Sequence, residues 1–354
     1  MAFRFDEDQL ALADGVEDLL LGRAKGEYAR AVADGEADWG ELWAAVSELG
    51  IPAMAVPEEL GGLGLGPIEL VAVCERVGRH LAPAPIVATA GAFVPTANAA
   101  GGEPRAALER VVAGAAATLA YVDPSDRATI ELRDGALFAA DVLVPDADRV
   151  ELIGFVVADG EGRAHSLVVL PTEAVELSPV EGFDRTRPLA LASVDGAAVA
   201  STPLPFGGAD LAVAFATAAA ELVGTAARML ELSVEHARER RQFGVPIGSF
   251  QAVKHRLVDA LLELERARSL TYRAAVACAG DDPAAAERAA RMAKAAASDA
   301  ATEVGRAAVQ VHGGLGITVE ADVSLFYLRA RQASMQLGGR DAHYAALAAR
   351  GSTG

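Results

Sequence analysis

From Asp210 to Arg350 the chain is written almost wholly in helix-favouring residues, and this stretch restricts the possible folds more than any other. Leu211 to Arg241 carries about thirty such residues, or about 45 Å of helix at roughly 1.5 Å per residue. Phe250 to Ala279, Pro283 to Gly313 and Val319 to about Leu337 repeat the pattern. Asp282-Pro283 opens the third of these, with proline in the first turn as helix starts favour. Four long helices with short joints predict an antiparallel up-down bundle. Hydrophobic residues make up 52% of the chain and much of that is alanine, so the packing must be tight and largely helical.

Upstream the texture changes twice. Residues 1 to about 115 read as helices. Leu10, Leu12, Val16, Leu19 and Leu20 recur near the helical period. A second helix spans Trp39 to Leu49 and stops at Gly50. Another runs from Pro67 to about Leu81, until Pro83 and Pro85 break it. From about Thr118 to Val199 short β-rich runs take over: Thr118 to Val122, Ala128 to Leu132, Ala136 to Phe138, Gly154 to Val157 and Ser166 to Leu170, separated by Asp-Gly, Pro-Asp and Gly-Glu-Gly turns. No long helices alternate with them, which argues for a small antiparallel β-domain rather than a parallel sheet. The expected class is α+β in three units: a helical domain at 1–115, a β-domain at 116–205 and a four-helix bundle at 206–354.

The formal net charge of -18 makes nucleic acid an improbable partner, since phosphate binding calls for a basic face. Arg238, Arg240 and Arg241 form one local basic patch within the acidic chain. The two cysteines, Cys74 and Cys278, sit in apolar surroundings and the six histidines never pair at ligand spacing. Neither a disulfide framework nor a metal site is expected, which fits a reducing cytoplasm. The first residues carry no secretory pattern, and no uninterrupted apolar run reaches about eighteen residues, so no membrane span is expected.

Two segments stand out chemically. Arg240-Arg241-Gln242-Phe243-Gly244, with Phe250-Gln251 behind it, places a forked cationic donor at the end of a long helix, suited to phosphate oxygens. Gln310-Val311-His312-Gly313-Gly314-Leu315-Gly316 sets a side-chain amide beside a backbone that a ligand can approach closely. Each has a bland reading, a solvated arginine and a helix-ending turn. Gly61 to Gly66 looks superficially like a dinucleotide loop, but no strand precedes it and no acidic residue answers it at the required distance. Phe215, Met229 and Tyr272 read as core, and Glu235, Arg238 and Glu239 as helix surface.

Taken in order, these segments resemble the acyl-CoA dehydrogenase family. Pro57 to Gly62 resembles its P-x-x-x-G-G turn, and Glu75 with Gly78-Arg79 its E-x-x-G segment. Val142 to Ala147 and Asp184 to Pro188 resemble strand and turn segments of shorter bacterial members. Arg240 to Gly244 matches R-x-x-F-G, and Gln310 to Gly316 matches Q-x-x-G-G-x-G. The resemblance implies FAD as cofactor, an acyl-CoA thioester as substrate and electron-transfer flavoprotein as acceptor. It implies that Arg240, Gln242, Phe243, Phe250, Gln251, Gln310, Gly313 and Gly314 reach across a subunit interface to the FAD of a neighbour.

The family's reaction also needs a carboxylate base in a dry pocket, and the resemblance gives two places for it. One falls at Leu337 or Gly338, the other at about Ala214. None of these residues ionises. The T-E-P-x-x-G-S-D segment of the family is replaced by Tyr121 to Asp126, the flavin-flanking residues are altered near Val142 to Val144, and no Asp-Arg pair stands around Ala212 and Phe215. What is kept would serve a neighbour's flavin, and what is lost would build this chain's own site. This is similar to short actinobacterial members that act as partner subunits in α2β2 enzymes. Two alternatives stay open: a self-sufficient homomer with a relocated base, for which Asp341, Glu221 and Asp210 are candidates, and a non-catalytic scaffold of the same fold.

Overall fold

The computed structural model describes residues 3–123, 126–158, 164–318 and 320–351. Pro124, Ser125, the turn at 160–162 and the expected helix start at Val319 lie outside the described residues.

The chain opens with helices α1 (Glu7–Arg23), α2 (Gly26–Ala33), α3 (Gly40–Glu48) and α4 (Pro67–Gly78). Asp6 caps α1 in a reciprocal box: its side chain accepts from the Gln9 backbone N–H, and Gln9 returns the bond. This satisfies two of the free N–H groups at the helix start. Helix α3 ends where expected, with Gly50 at φ 71°. Gly61 (φ 89°) and Gly64 (φ 63°) turn the loop before α4, and Gly62 packs against the Val56 carbonyl, so this glycine-rich run is filled by its own chain. After α4 a π-helical turn (Val87–Phe93) runs into α5 (Val94–Ala100), followed by α6 (Gly102–Ala106) and α7 (Leu108–Val112).

The strands are β1 (Ala117–Ala120), β2 (Thr129–Arg133), β3 (Ala136–Pro145), β4 (Leu152–Ala158), β5 (Ala164–Pro171), β6 (Glu176–Val180), β7 (Leu189–Ala198) and β8 (Thr202–Pro203). They form two four-stranded sheets, in the orders β1-β4-β5-β8 and β2-β3-β7-β6. Pairing is antiparallel as expected, except for β1 with β4, which is parallel. The sequence runs identified five of these strands and cut β3 short. They missed β6, β7 and β8, where alanine, proline and serine hide the alternation.

The C-terminal helices are α8 (Ala212–Glu239), α9 (Gln251–Cys278), α10 (Pro283–His312), α11 (Asp322–Ala333) and α12 (Arg340–Gly351), with a short hairpin of β9 (Arg241–Gln242) and β10 (Val245–Pro246) between α8 and α9. The expected fourth helix, Val319 to about Leu337, is shorter in the structure, because a turn at 334–339 with Leu337 at φ 55° and Gly338 at φ 91° ends α11, and α12 follows as a fifth helix beyond the expected four. Helix α10 packs on α9 and α8, and its core face is mostly alanine, which lets the backbones approach. Gly207–Glu239 has the length and hydropathy of a membrane span, but 89% of its most apolar window is buried inside the protein, as for a core helix.

Helix α8 also packs on α4, and there the contact is backbone to backbone. A Cβ on Gly224 would stand 2.0 Å from the Glu75 carbonyl oxygen, and one on Gly78 2.1 Å from that of Glu221. Thr225 Oγ1 donates to the Gly78 carbonyl across the same seam (3.0 Å). Glu75 accepts from Arg268 Nε (2.9 Å) and from the Tyr272 hydroxyl (2.8 Å), so α9 is drawn in as well. Gly224→Ala should destabilise the protein by about 1–3 kcal/mol through overpacking, even though alanine is the better helix former by about 1 kcal/mol. Chemical denaturation checks this, and an unchanged or raised midpoint would contradict it.

Candidate functional site

Two places in this fold collect the residues singled out in the sequence. The first is a cavity of about 740 Å³ between the sheets, the π-helical turn, α8 and the turn after α11. Ala214, Ala218 and Glu221 line it as one stripe on α8, at spacings of four and three residues that share a helix face. Val87, Ala88 and Ala92 of the π-helical turn face them. The irregular turn is held by Thr89, whose hydroxyl donates to the Ala117 carbonyl (2.9 Å), and by Thr217, whose hydroxyl donates to the Gly91 carbonyl (2.8 Å). Leu337 closes the far wall. The two places where the family resemblance requires a carboxylate thus meet in one cavity, and alanine and leucine occupy them. Of the two residues left open at the second place, Leu337 is the one among the lining residues.

The buried end of this cavity is charged. Arg187 donates from Nε (3.0 Å) and Nη2 (2.7 Å) to Asp146 Oδ2, and from Nη1 (2.7 Å) to Glu221 Oε1. Arg187 and Glu221 are each only 3% exposed. Beside them Arg329 pairs with Asp184 and donates to Thr186 Oγ1 (2.5 Å), while Gln332 Nε2 donates to the Arg187 carbonyl (2.7 Å). Buried charges need such partners, although the other carboxylate oxygen of Asp146, Oδ1, is buried without a hydrogen bond among the described residues. The Asp184-Arg185-Thr186-Arg187-Pro188 turn is therefore the joint between the sheets and the bundle.

Behind Leu337 lies a second buried cation. Lys294 donates to the Ser334 carbonyl (3.0 Å), the Gly338 carbonyl (3.2 Å) and Ser298 Oγ (3.3 Å), and so pins both ends of the turn that carries Leu337. Burial pushes its ammonium down to about 7, with Glu221 opposing. His343 accepts no charge there: burial, then Lys294 and Arg291, push it down to about 3. Sequence reasoning missed Lys294, since a lysine in an alanine-rich helix reads as surface.

The relocated-base candidates fare differently. The Asp341 side chain is 89% exposed and pairs with Arg340, outside the cavity lining, so it is corrected from candidate base to surface residue. Asp210 Oδ2 accepts from the Phe206 backbone N–H (2.8 Å) and does not line the cavity. Glu221 does line it, but its Oε1 is held by Arg187. It also stands seven residues from Ala214, about 10 Å along the helix.

The second place is the end of the bundle where α8 and α10 finish. His236, one turn before Arg240, stacks on His312, two residues after Gln310, with ring centroids 4.4 Å apart. The two glycine-containing motifs are therefore neighbours. Burial first, then His312 and Arg240, lower the pKa of His236. Arg240, Arg241 and Gln242 are exposed, and among the described residues the Arg240 side chain has no hydrogen bond or ion pair. Phe243 (φ 54°) and Gly244 (φ 81°) make the two-residue turn of the β9–β10 hairpin; positive φ at both positions is the mark of a type I′ turn. This thrusts the Phe243 ring out, 91% exposed, edge-on to Phe250 at 6.1 Å. Gln251 begins α9 and is exposed. Gln310 is exposed on the last turn of α10, Gly313 takes φ 61°, and among the described residues nothing beyond the adjoining residues lies within 4 Å of a Cβ added at Gly313 or Gly314. Leu315 and Ile317 continue the exposed apolar surface.

Comparison with known proteins follows the same lines. Residues 6–111 match the model of the acyl-CoA dehydrogenase N-terminal domain, and residues 209–351 that of the acyl-CoA dehydrogenase C-terminal domain. The chain is similar to acyl-CoA dehydrogenase IpdE2 of Mycobacterium tuberculosis, with 33% identity over 334 residues, 94% of this chain and 93% of the relative. Among solved structures it superposes on a Tcur3481-Tcur3483 steroid ACAD G363A variant with a TM-score of 0.85 at 27% identity, covering 98% of this chain and 99% of the other. The ChsE4-ChsE5 complex from Mycobacterium tuberculosis shares the fold, with a TM-score of 0.81 at 24% identity and full coverage of both chains.

The titration of Lys294 gives a test of the geometry at the Leu337 turn. Its folded value of about 7 lies below the ordinary 10.5, so between those limits the unfolded chain binds more protons. Stability then rises with pH across that window. Compared with Lys294→Met, the native chain should gain up to about 2 kcal/mol between about pH 7.5 and about pH 9, at about 1.4 kcal/mol per pH unit. Denaturation at both pH values checks this, and a constant difference between the two proteins would contradict it.

Proposed function

This chain belongs to the acyl-CoA dehydrogenase family, and we propose that it serves there as a subunit without a base, completing the FAD site of a homologous partner. The observation that carries the reading is the shared cavity of Ala214 and Leu337. A proton cannot be taken from an acyl-CoA α-carbon by either side chain, and the loss of a positioned base lowers rates by about 10²- to 10⁴-fold. FAD, when bound, supplies the acceptor for the hydride that leaves the β-carbon.

The other end of the bundle supports the same division of labour. Arg240 is exposed and, among the described residues, its guanidinium has no ion pair, which suits it to a pyrophosphate. Gly314 has open space where a side chain would project, so the chain's own packing does not demand a glycine there, whereas a ligand pressed against the backbone would. Gln310 offers an amide beside it, and Phe243, Phe250 and Ile317 present apolar surface that a partner would cover. The residues thus fit the edge of a dinucleotide held mainly by another subunit. The similar steroid ACAD is itself named as a pair, Tcur3481-Tcur3483. An acyl-CoA is the proposed substrate of the assembly, and electron-transfer flavoprotein its electron acceptor.

Glu221 favours a second reading, a homomer with a relocated base, because it lines the cavity. Its bond to Arg187 and its distance from Ala214 along α8 rank that reading below the first.

Produced alone, the chain should retain little flavin and fail to bleach with an acyl-CoA. Produced with a homologous subunit that carries glutamate at the position of Leu337, it should yield a yellow, thioester-reducible complex. Arg240→Ala in that complex should weaken flavin retention about 10- to 100-fold, the worth of a charged hydrogen bond. Flavin absorbance after gel filtration checks each point. An isolated chain that is bright yellow and reduced by acyl-CoA would overturn the proposal.

A further inference from the structure

The end of the bundle holds two histidines that neither proton abstraction nor the gripping of a flavin uses. His236 lies on the last turn of α8, and His312 closes α10. Their rings stack with centroids 4.4 Å apart and 23° between the planes. Each is joined to one of the flavin-directed segments. The His236 carbonyl accepts from the Arg240 N–H (2.9 Å), and the Arg240 carbonyl from the Ile247 N–H (2.8 Å), so the β9–β10 hairpin hangs from this residue. The turn after α10 folds back on His312, for a Cβ on Gly316 would stand 3.1 Å from the His312 Cβ. The stack is therefore a direct contact between the root of the hairpin and the glycine turn.

Both rings are half-buried and line a cavity of about 820 Å³ between α1, α2, α4, α8 and α11, which gives protons access to them. His312 Nδ1 donates to the Ala308 carbonyl (2.8 Å), since a carbonyl only accepts, and Nε2 is the atom left to take a further proton. The charges around the pair are mostly matched among themselves. Glu17 of α1 pairs with Arg76 and Arg79, Arg228 of α8 with Glu231 and Glu235, and Asp322 of α11 with Arg30 of α2. His80 at the end of α4 lies 3.7 Å from Glu17. Lys25 and Glu27 of α2 and Glu320 before α11 complete the charged wall, and among the described residues no side chain of α9 lines it. Burial most, then His312 and Arg240, disfavour a charge on His236, and Glu239 favours it. The carbonyl ends of helices attract cations, so one proton on the pair is tolerated. A second sets two like charges face to face.

We infer that the His236–His312 stack is an acid-sensitive latch: with at most one proton added it holds the Arg240 hairpin against the Gln310 turn, and with two it parts them and loosens the flavin edge they grip. The consequence for flavin rests on the partner role proposed above; the parting of the rings does not. Parted rings bind the second proton more readily than stacked ones. The latch is therefore intact above the ordinary imidazole range and weakens as pH falls through it.

Nuclear magnetic resonance of the full chain between about pH 8 and about pH 5 tests the latch. His236 should titrate below the ordinary 6.5, and its midpoint should rise in His312→Phe, which keeps a flat ring without the charge. Overhauser contacts between the two rings should be present at the alkaline end and lost at the acid end. In the double variant His236→Phe, His312→Phe they should persist at both, with circular dichroism melting confirming that it folds. A His236 midpoint indifferent to residue 312, or native ring contacts that survive the acid end, would overturn the inference. If the phenylalanine variants do not fold, His312→Gln must raise the same midpoint. In the complex with the homologous subunit, flavin retention should fall by up to about tenfold per pH unit across the titration, as one proton taken up on parting requires, and should fall less in the double variant. Equal loss from both would also overturn the latch. Failure to obtain any flavin-loaded complex would count against the partner role, and the titration and ring contacts of the isolated chain would then decide the latch.

Discussion

Arg187 joins the two halves of this structure deep in its interior. Asp146, which it binds, begins the turn after β3, and Glu221 stands in the middle of α8. One side chain therefore fixes the sheets to the bundle. Beside it, Arg329 on α11 ties Asp184 and Thr186, so the same short turn is clamped from a third direction. Breaking such a pair on one side leaves an uncompensated buried charge and typically costs about 3–5 kcal/mol. Everything that shapes the cavity hangs from this joint: the stripe of Ala214 and Ala218 on α8, the Leu337 turn after α11, and the strands that carry Leu143 and Leu189.

Given that frame, small residues set the rest. Gly78 and Gly224 let α4 and α8 touch through their backbones, and alanines along α10 let three helices crowd one axis. The cavity lies where that crowding is relieved by the π-helical turn, whose extra residue per turn widens the helix locally; such turns are frequent at functional sites. A space that can admit a ligand and a seam that admits only glycine thus lie on neighbouring stretches of one helix.

The sequence disclosed the architecture at large because long helices and a β-rich interval have different periods. Helices α8, α9 and α10 begin and end within one or two residues of expectation, and the Arg240 and Gln310 turns lie at one end of the bundle as their shared role would require. Other features were hidden for physical reasons. The alternation of β7 is written in Leu-Ala-Leu-Ala, where alanine suits either face. The π-helical turn depends on hydroxyls of Thr89 and Thr217, and the latter is 126 residues from the carbonyl it serves. The partners of Arg187 lie 34 and 41 residues away, and no local pattern announces them. Lys294 gives the same lesson: its burial follows from the carbonyls of the 334–338 turn, which propensity cannot foresee. The two places that the resemblance assigns to a base were legible only through it, and the structure adds that Ala214 and Leu337 line one cavity.

A division of labour between two homologous chains has a countable consequence. If this chain lends Arg240 and Gln310 to a flavin seated on its companion and seats none of its own, the purified assembly should contain one FAD for every two polypeptides. Native mass spectrometry of the intact complex measures that ratio directly. One FAD per pair of unlike chains is the predicted result, and one FAD on every chain, or a flavin-loaded complex made of this chain alone, would contradict the account.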